Sequence, residues 1–202
     1  MPKIGQEPVR RAALLAATVE EIGAAGSLDV TVTQIARRAG MSSALAHHYF
    51  GGKVQIFLGA MRQILRDYGA EVRVALADAP PGLRLEAIVA ANFAPSCFAP
   101  ATVSAWLNFY GLARSAPEAA RLLRIYQRRL RSNLIHALRG RCADPVGVAD
   151  TVAALIDGVY LRAALSGEAV EGSEARVLRA AYALMGQTPP DGRIGEDGSH
   201  GI

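Results

Sequence analysis

The stretch Gln34 to Phe50, QIARRAGMSSALAHHYF, sets one glycine between two short segments whose apolar residues recur at helical intervals. Gly40 can take the positive φ that a tight turn between helices needs. Thr31 and Ser42 stand where N-caps belong. Neither segment is long or apolar enough to be a core helix by itself. Ile35, Ala36, Leu45 and Phe50 supply an anchoring side, and the front of the second segment carries the small Ser43 and Ala44. That is the build of a helix-turn-helix: one helix buttresses, and the next offers its first residues to base edges in a major groove. Serine hydroxyls bond phosphates or bases, and an alanine can touch a thymine methyl.

The rest of the chain reads as helical too. Leu14, Thr18, Ile22 and Ala25 follow a 4-4-3 spacing, which predicts a first helix closed by Gly26. Glu20 and Glu21 cut short the apolar run of RRAALLAATV, so it does not read as an export signal. Helices are expected at about Val32 to Ala39, Ser43 to Tyr49 and Lys53 to Ala77, before the break at Pro80-Pro81-Gly82. Five more follow near Leu83–Phe93, Ala101–Arg114, Pro117–Arg139, Val146–Leu165 and Ser173–Met185. The one alternating run, DVTVTQ, has threonines that suit a helix cap better than a strand. The fold class is all-α.

Charge and composition narrow the function. Hydrophobic residues make up 51% of 202, so a packed globular core is expected. A net charge of +4 permits a nucleic-acid partner without demanding one. Cys97 and Cys142 lie far apart with no CxxC spacing, as expected for two reduced thiols in a cytoplasmic protein. No apolar run reaches the length of a membrane span, so no membrane partner is expected. His47 and His48 are adjacent, point to different helix faces and lack nearby ligands, so a metal site is not expected. No nucleophile–base pair stands at convincing spacing, so neither an enzyme nor a cofactor is expected. A helical interaction module that does not bind DNA is the other class left open.

The segment TVTQIARRAGMSSALAHHYFGGK resembles the helix-turn-helix of TetR-type transcriptional repressors. The family commonly has a phosphate-touching tyrosine where this chain has His47, whose ring can still donate to an oxygen. The resemblance implies an N-terminal three-helix DNA-binding domain over 1–52 and a C-terminal helical ligand-binding and dimerisation domain over 53–186. The Gly-, Pro- and Asp-rich tail, 187–202, is expected to be disordered. Candidate DNA contacts are Thr31, Thr33, Gln34 and Arg37 from the first motif helix and its cap. Ser42, Ser43, Ala44, Leu45, His47, His48 and Tyr49 come from the second, and Lys53 from the start of the next helix. The expected DNA partner is a palindromic operator duplex, read by a homodimer.

Pieces spread over the chain, among them MPKIG, IVAANF, AWLNF, RRLRSNL and ALIDGVYLRAALSG, resemble the choline-responsive branch of that family. The resemblance implies repression of genes that convert choline to glycine betaine, with choline or a related quaternary ammonium as effector; a repressor of the same type that senses a different hydrophobic or cationic molecule is the alternative. A quaternary ammonium has no hydrogen to donate and is recognised by aromatic faces. Phe93, Phe98, Trp106, Phe109 and Tyr110 fall in one short window, with Trp106 and Tyr110 on one helix face. Asp157 and Tyr160 share a face of an apolar helix, followed by Leu161, and Asn92 is placed to meet a hydroxyl. Candidate ligand residues are therefore Asn92, Phe93, Trp106, Phe109, Tyr110, Asp157, Tyr160 and Leu161. For the rings, core packing stands beside the cage reading. For Asp157, a local partner such as Arg162 stands beside a ligand cation.

Two further features complete the reading. VADTVAALIDGVYLRAAL has few charges and many small residues, so the last two helices are expected to form the dimer interface. The arginines of RLLRIYQRRLRSNLIHALRGR are expected to spread around their helix as a solvated face, some pairing with Glu71 or Asp67.

Overall fold

The structure is a computed structural model that describes residues 5–166 and 172–189. Those residues form nine α-helices and one 3₁₀ turn, and no strand. The helices are α1 (Gln6–Ala25), α2 (Val32–Arg38), α3 (Ser43–Phe50), α4 (Lys53–Asp78), α5 (Arg84–Asn92), α6 (Pro100–Ala113), α7 (Pro117–Leu138), α8 (Pro145–Ser166) and α9 (Ser173–Met185). The 3₁₀ turn, Pro95–Phe98, had no counterpart in the sequence reading. Most of the tail expected to be disordered lies outside the described residues.

The helix ends follow local chemistry. α1 ends at Gly26 in the left-handed region (φ 65), whose N–H donates to the Ile22 carbonyl. α2 starts on a capping box: the Gln34 N–H donates to Thr31 Oγ1 and the Thr31 N–H to Gln34 Oε1. Of the two threonines of DVTVTQ, Thr31 thus acts as the cap, and Thr33 lies within α2. Gly40 takes φ 68 in the turn, and Ser42 Oγ accepts from the Leu45 N–H to open α3.

The chain groups into two compact units. The first holds the described part of Met1–Asp67 together with Ala99–Leu123. In it α1 packs on α6 and α2, and α2 on α3. Gly23 lies where α1 meets α6: a Cβ there would stand 2.7 Å from both Cα and Cβ of Ala101. Leu14, Ile22, Ile35, Ile56, Leu58 and Phe109 are essentially sealed from solvent. The second unit holds the described parts of Tyr68–Phe98 and Arg124–Ile202, with α9 packed on α8 and α5. Helices α4 and α7 contribute to both units.

In the second unit a buried polar knot joins three elements. Arg141 Nη2 donates to Glu86 Oε1 (3.4 Å) and to the Tyr182 hydroxyl (3.1 Å), and Tyr182 donates to Glu86 Oε1. Glu86 belongs to α5 and Tyr182 to α9, and Arg141 follows Gly140 after α7. Burying such a carboxylate without a cation would be costly, and the guanidinium removes much of that cost.

Candidate functional site

The helix-turn-helix stands on buried apolar anchors. Ile35, Ala36 and Ala46 are 1% exposed or less, while Leu45 and Phe50 are half-buried. α1 braces the motif by charge as well: Arg38 bonds Glu21 (2.5 Å) and Glu20 (3.3 Å). The Arg11 guanidinium lies 5.2 Å from the Tyr49 ring centre and 5.1 Å from that of Phe50.

The candidate DNA residues are placed as follows. Thr33, Arg37, Ala44 and His48 are exposed, and Ser43 and Tyr49 are half-buried at the surface. Thr31, Gln34 and Ser42 are exposed but already engaged as caps, Gln34 keeping its amide NH2 as a donor. Lys53 Nζ donates to the Leu28 carbonyl at 3.1 Å, which fixes the ammonium beside the loop before α2.

His47 departs from the sequence reading. Its Nδ1 lies 3.0 Å from the Gly51 carbonyl oxygen. A carbonyl only accepts, so Nδ1 carries the hydrogen, and the neutral ring keeps a lone pair at Nε2. Neutral His47 therefore accepts at Nε2; donation to a phosphate requires the imidazolium.

The eight candidate ligand residues fall into both units. Trp106, Phe109 and Tyr110 belong to the first. Trp106 meets Phe109 edge-on at 5.7 Å and Tyr110 at 5.7 Å, and Phe109 meets Phe57 at 6.5 Å. Phe109, with 0% exposure, is a core residue of that unit.

Asn92, Phe93, Asp157, Tyr160 and Leu161 belong to the second unit. There Phe98 stacks on Phe93 at 6.0 Å and leans on Tyr160 at 5.0 Å. The 3₁₀ turn that carries Phe98 is tied at both ends: Tyr160 donates to the Cys97 carbonyl (3.1 Å), and Ser96 Oγ to Glu71 Oε1 (2.9 Å). Asp157 accepts a hydrogen bond from Tyr126, and burial pushes its carboxyl up to about 6. Tyr126 meets Tyr68 edge-on at 5.9 Å. Tyr68 donates to Asn92 Oδ1 (2.9 Å), and Asn92 Nδ2 donates to the Ile88 carbonyl (2.8 Å). Asn92 thus orients Tyr68 and is not an open polar group. Burial raises the Tyr68 hydroxyl above its ordinary range. The Cys97 thiol is pushed up to about 11, again chiefly by burial.

Leu161 is 40% exposed and turns outward with Ala154, Gly158 and Leu165. Tyr68 and Tyr126 were missed in the sequence because their partners lie far along the chain, Asn92 for Tyr68 and Asp157 for Tyr126. The arginine pairing also differs from expectation. Arg131 pairs with Asp150 and Arg141 with Glu86, whereas Glu71 takes Ser96 and Asp67 takes Gln63. No group of three His, Cys, Asp or Glu among the described residues could hold a metal ion. No single helix among them is long and apolar enough to cross a membrane.

A capped helix-turn-helix braced by α1, joined to an all-helical remainder, is the architecture of a one-component DNA-binding regulator. Residues 14–60 match the model of bacterial regulatory proteins of the tetR family, and residues 81–185 match the BetI-type transcriptional repressor C-terminal model. The chain belongs to the TetR family, with a C-terminal domain of the BetI type. It is 49% identical over 181 residues to HTH-type transcriptional regulator BetI of Brucella abortus, covering 88% of this chain and 91% of that one. Against BetI of Agrobacterium fabrum the identity is 51% over 168 residues, 82% of each. Among solved structures, a transcriptional regulator from Pseudomonas aeruginosa PAO1 superposes with a TM-score of 0.78 at 24% identity, covering 91% and 93% of the two chains. A regulator from Saccharomonospora viridis, solved in complex with choline, gives 0.77 at 22% identity over 85% and 95%. These relatives are regulators, in keeping with the expectation that the chain is not an enzyme.

Proposed function

We propose that this TetR-type repressor controls choline-to-glycine-betaine genes and that choline, or a close quaternary ammonium, relieves the repression. The observation that carries the effector is Asp157: a largely buried carboxylate that accepts a hydrogen bond from Tyr126 and is still pushed above the ordinary carboxylate range by burial. Such a group is destabilised when ionised unless a cation meets it. Tyr126, its hydrogen-bond partner, meets the Tyr68 ring at 5.9 Å, and Tyr160, three residues on in α8, meets the Phe98 ring at 5.0 Å. Aromatic faces and one carboxylate suit a cation that cannot donate a hydrogen bond. The names of the relatives and the choline-bound neighbour support the same reading.

The partner state is a homodimer through α8 and α9. Ala154, Gly158, Leu161 and Leu165 form an exposed apolar stripe at 4-3-4 spacing, with Leu165 68% exposed, and Leu184 of α9 is 48% exposed. Two recognition helices held about 34 Å apart then meet successive turns of a palindromic operator. Ligand acts only through its different affinity for the operator-bound and free states, so operator must weaken choline binding by the same factor.

A footprint of the purified protein on its neighbouring promoter, with and without choline, tests the whole reading. Protection that choline abolishes is expected. Protection indifferent to choline but sensitive to another cation would retain the repressor and remove choline as effector.

A further inference from the structure

Residues 119–143 hold Arg121, Arg124, Arg128, Arg129, Arg131, Arg139 and Arg141, and no Asp or Glu. Residues 5–53, which contain the helix-turn-helix, hold Arg10, Arg11, Arg37, Arg38 and Lys53 against Glu7, Glu20, Glu21 and Asp29, a balance of +1. The positive charge of this DNA-binding chain is therefore concentrated outside its reading head.

Within the second unit, α7 turns Tyr126, Leu130, Leu134, Ala137 and Leu138 inward. Arg124, Arg128, Arg129, Ser132, His136 and Arg139 are all exposed. At 3.6 residues per turn these six share one half of the helix, so the arginines do not spread around it. From Arg124 to Arg139 the row runs about 22 Å. Arg131, on the same half, is countered by Asp150 at 2.5 and 3.2 Å. Arg124, Arg128, Arg129 and Arg139 have no carboxylate partner among the described residues. A shallow concavity of ≈ 550 Å³ lies among Arg128, Arg129, Arg131, Ser132, His136 and Arg139.

Like charges held along a rigid helix repel, and a linear polyanion relieves that repulsion while releasing its own counterions. The charges extend for about 22 Å along a broad face, well beyond the concavity, which fits repeating phosphates better than a compact anion. The broad apolar side of α7 faces the core, which leaves no wedge to insert into a lipid surface. We propose that this face of α7 is a second, sequence-independent contact for the phosphate backbone of duplex DNA.

The test measures binding of the full chain to a random-sequence duplex by anisotropy, across a salt series. R128Q/R129Q/R139Q is expected to weaken binding at least tenfold at about 0.1 M salt and to flatten the log–log salt slope by about 3, near 0.9 for each phosphate released. Asp150→Asn frees Arg131 and is expected to tighten binding, a gain that misfolding cannot mimic. Ser43→Asp, in the reading head, is expected to lose operator preference and to keep the random-duplex slope. An unchanged slope in the triple variant overturns the proposal. So does loss of random-duplex binding in Ser43→Asp, which places that contact in the head. So does a triple variant that loses only anionic phosphatidylglycerol vesicles or polyglutamate while duplex binding stays intact.

Discussion

The Tyr126 hydroxyl donates to the Asp157 carboxylate, and that single bond is not enough to hold Asp157 at an ordinary acidity. Burial raises the carboxyl from 3.8 to about 6, and the tyrosine bond opposes the rise only in part. The folded apo protein therefore binds a proton more tightly at this site than the unfolded chain does. Between about pH 4 and 6 stability falls as pH rises, and above 6 the full cost, on the order of 3 kcal/mol, is present. Asp157→Asn removes the ionisation and is expected to raise the thermal midpoint of the apo protein at pH 7. The gain should shrink toward pH 4, which parallel melts at the two pH values will show.

A cation bound at this carboxylate would make ligand binding depend on pH. A cation favours ionised Asp157, so choline affinity should be flat above about pH 7. Below about pH 6 it should fall toward tenfold per pH unit, the limit for one linked proton. Calorimetry across pH 5 to 8 measures this, and an Asp157→Asn variant that binds choline with unchanged affinity would sink the role given to the carboxylate.

Tyr126→Phe separates the rings from the bond. It keeps the aromatic face and removes the donor, so the Asp157 carboxyl should rise further and the threshold for choline binding should move to higher pH. Trp106→Ala is the companion variant. A cage role predicts weaker choline binding with apo operator affinity nearly unchanged, whereas a purely packing role predicts loss of stability and no selective loss of choline. Titrations and melts on the same samples tell the two apart.

At the reading head, Ser43→Asp puts a carboxylate at the first residue of α3, where it suits the helix dipole and not a phosphate. The fold should survive, and operator affinity in a gel shift should drop by at least tenfold. An unchanged shift would remove Ser43 from the interface.

Gly23→Ala tests the crossing of α1 and α6. In an open helix the change would stabilise by up to about 1 kcal/mol. Here the new methyl meets Ala101 at 2.7 Å, backbone included, so the helices must separate. A loss of about 1–3 kcal/mol in chemical denaturation is expected.

How much of this the sequence held depends on the range of the interaction. The helix-turn-helix was legible because its signals are local: Thr31 with Gln34, Gly40 and Ser42 each act within a turn of the chain. The all-α class followed from spacing alone. The aromatic candidates were legible as a group but not in their sorting. Nothing in the window from Phe93 to Tyr110 indicates that Phe93 and Phe98 pack in one unit and Trp106 and Phe109 in another. Tyr68 and Tyr126 escaped notice because their meaning comes from partners 24 residues away at Asn92 and on α8 at Asp157. The outward turn of Leu161 was hidden for the same reason, since a helix that is apolar all round does not announce which side is covered.

The latch between the His47 ring and the Gly51 carbonyl has a consequence for what the recognition helix can ask of a duplex. With its hydrogen spent inward, an imidazole turned to the groove would be a taker of hydrogens, suited to the amino group of an adenine or a cytosine edge. A tyrosine at that point would cling to any sugar–phosphate chain alike. At a base edge, His47 would trade a grip indifferent to base order for one that can tell letters apart.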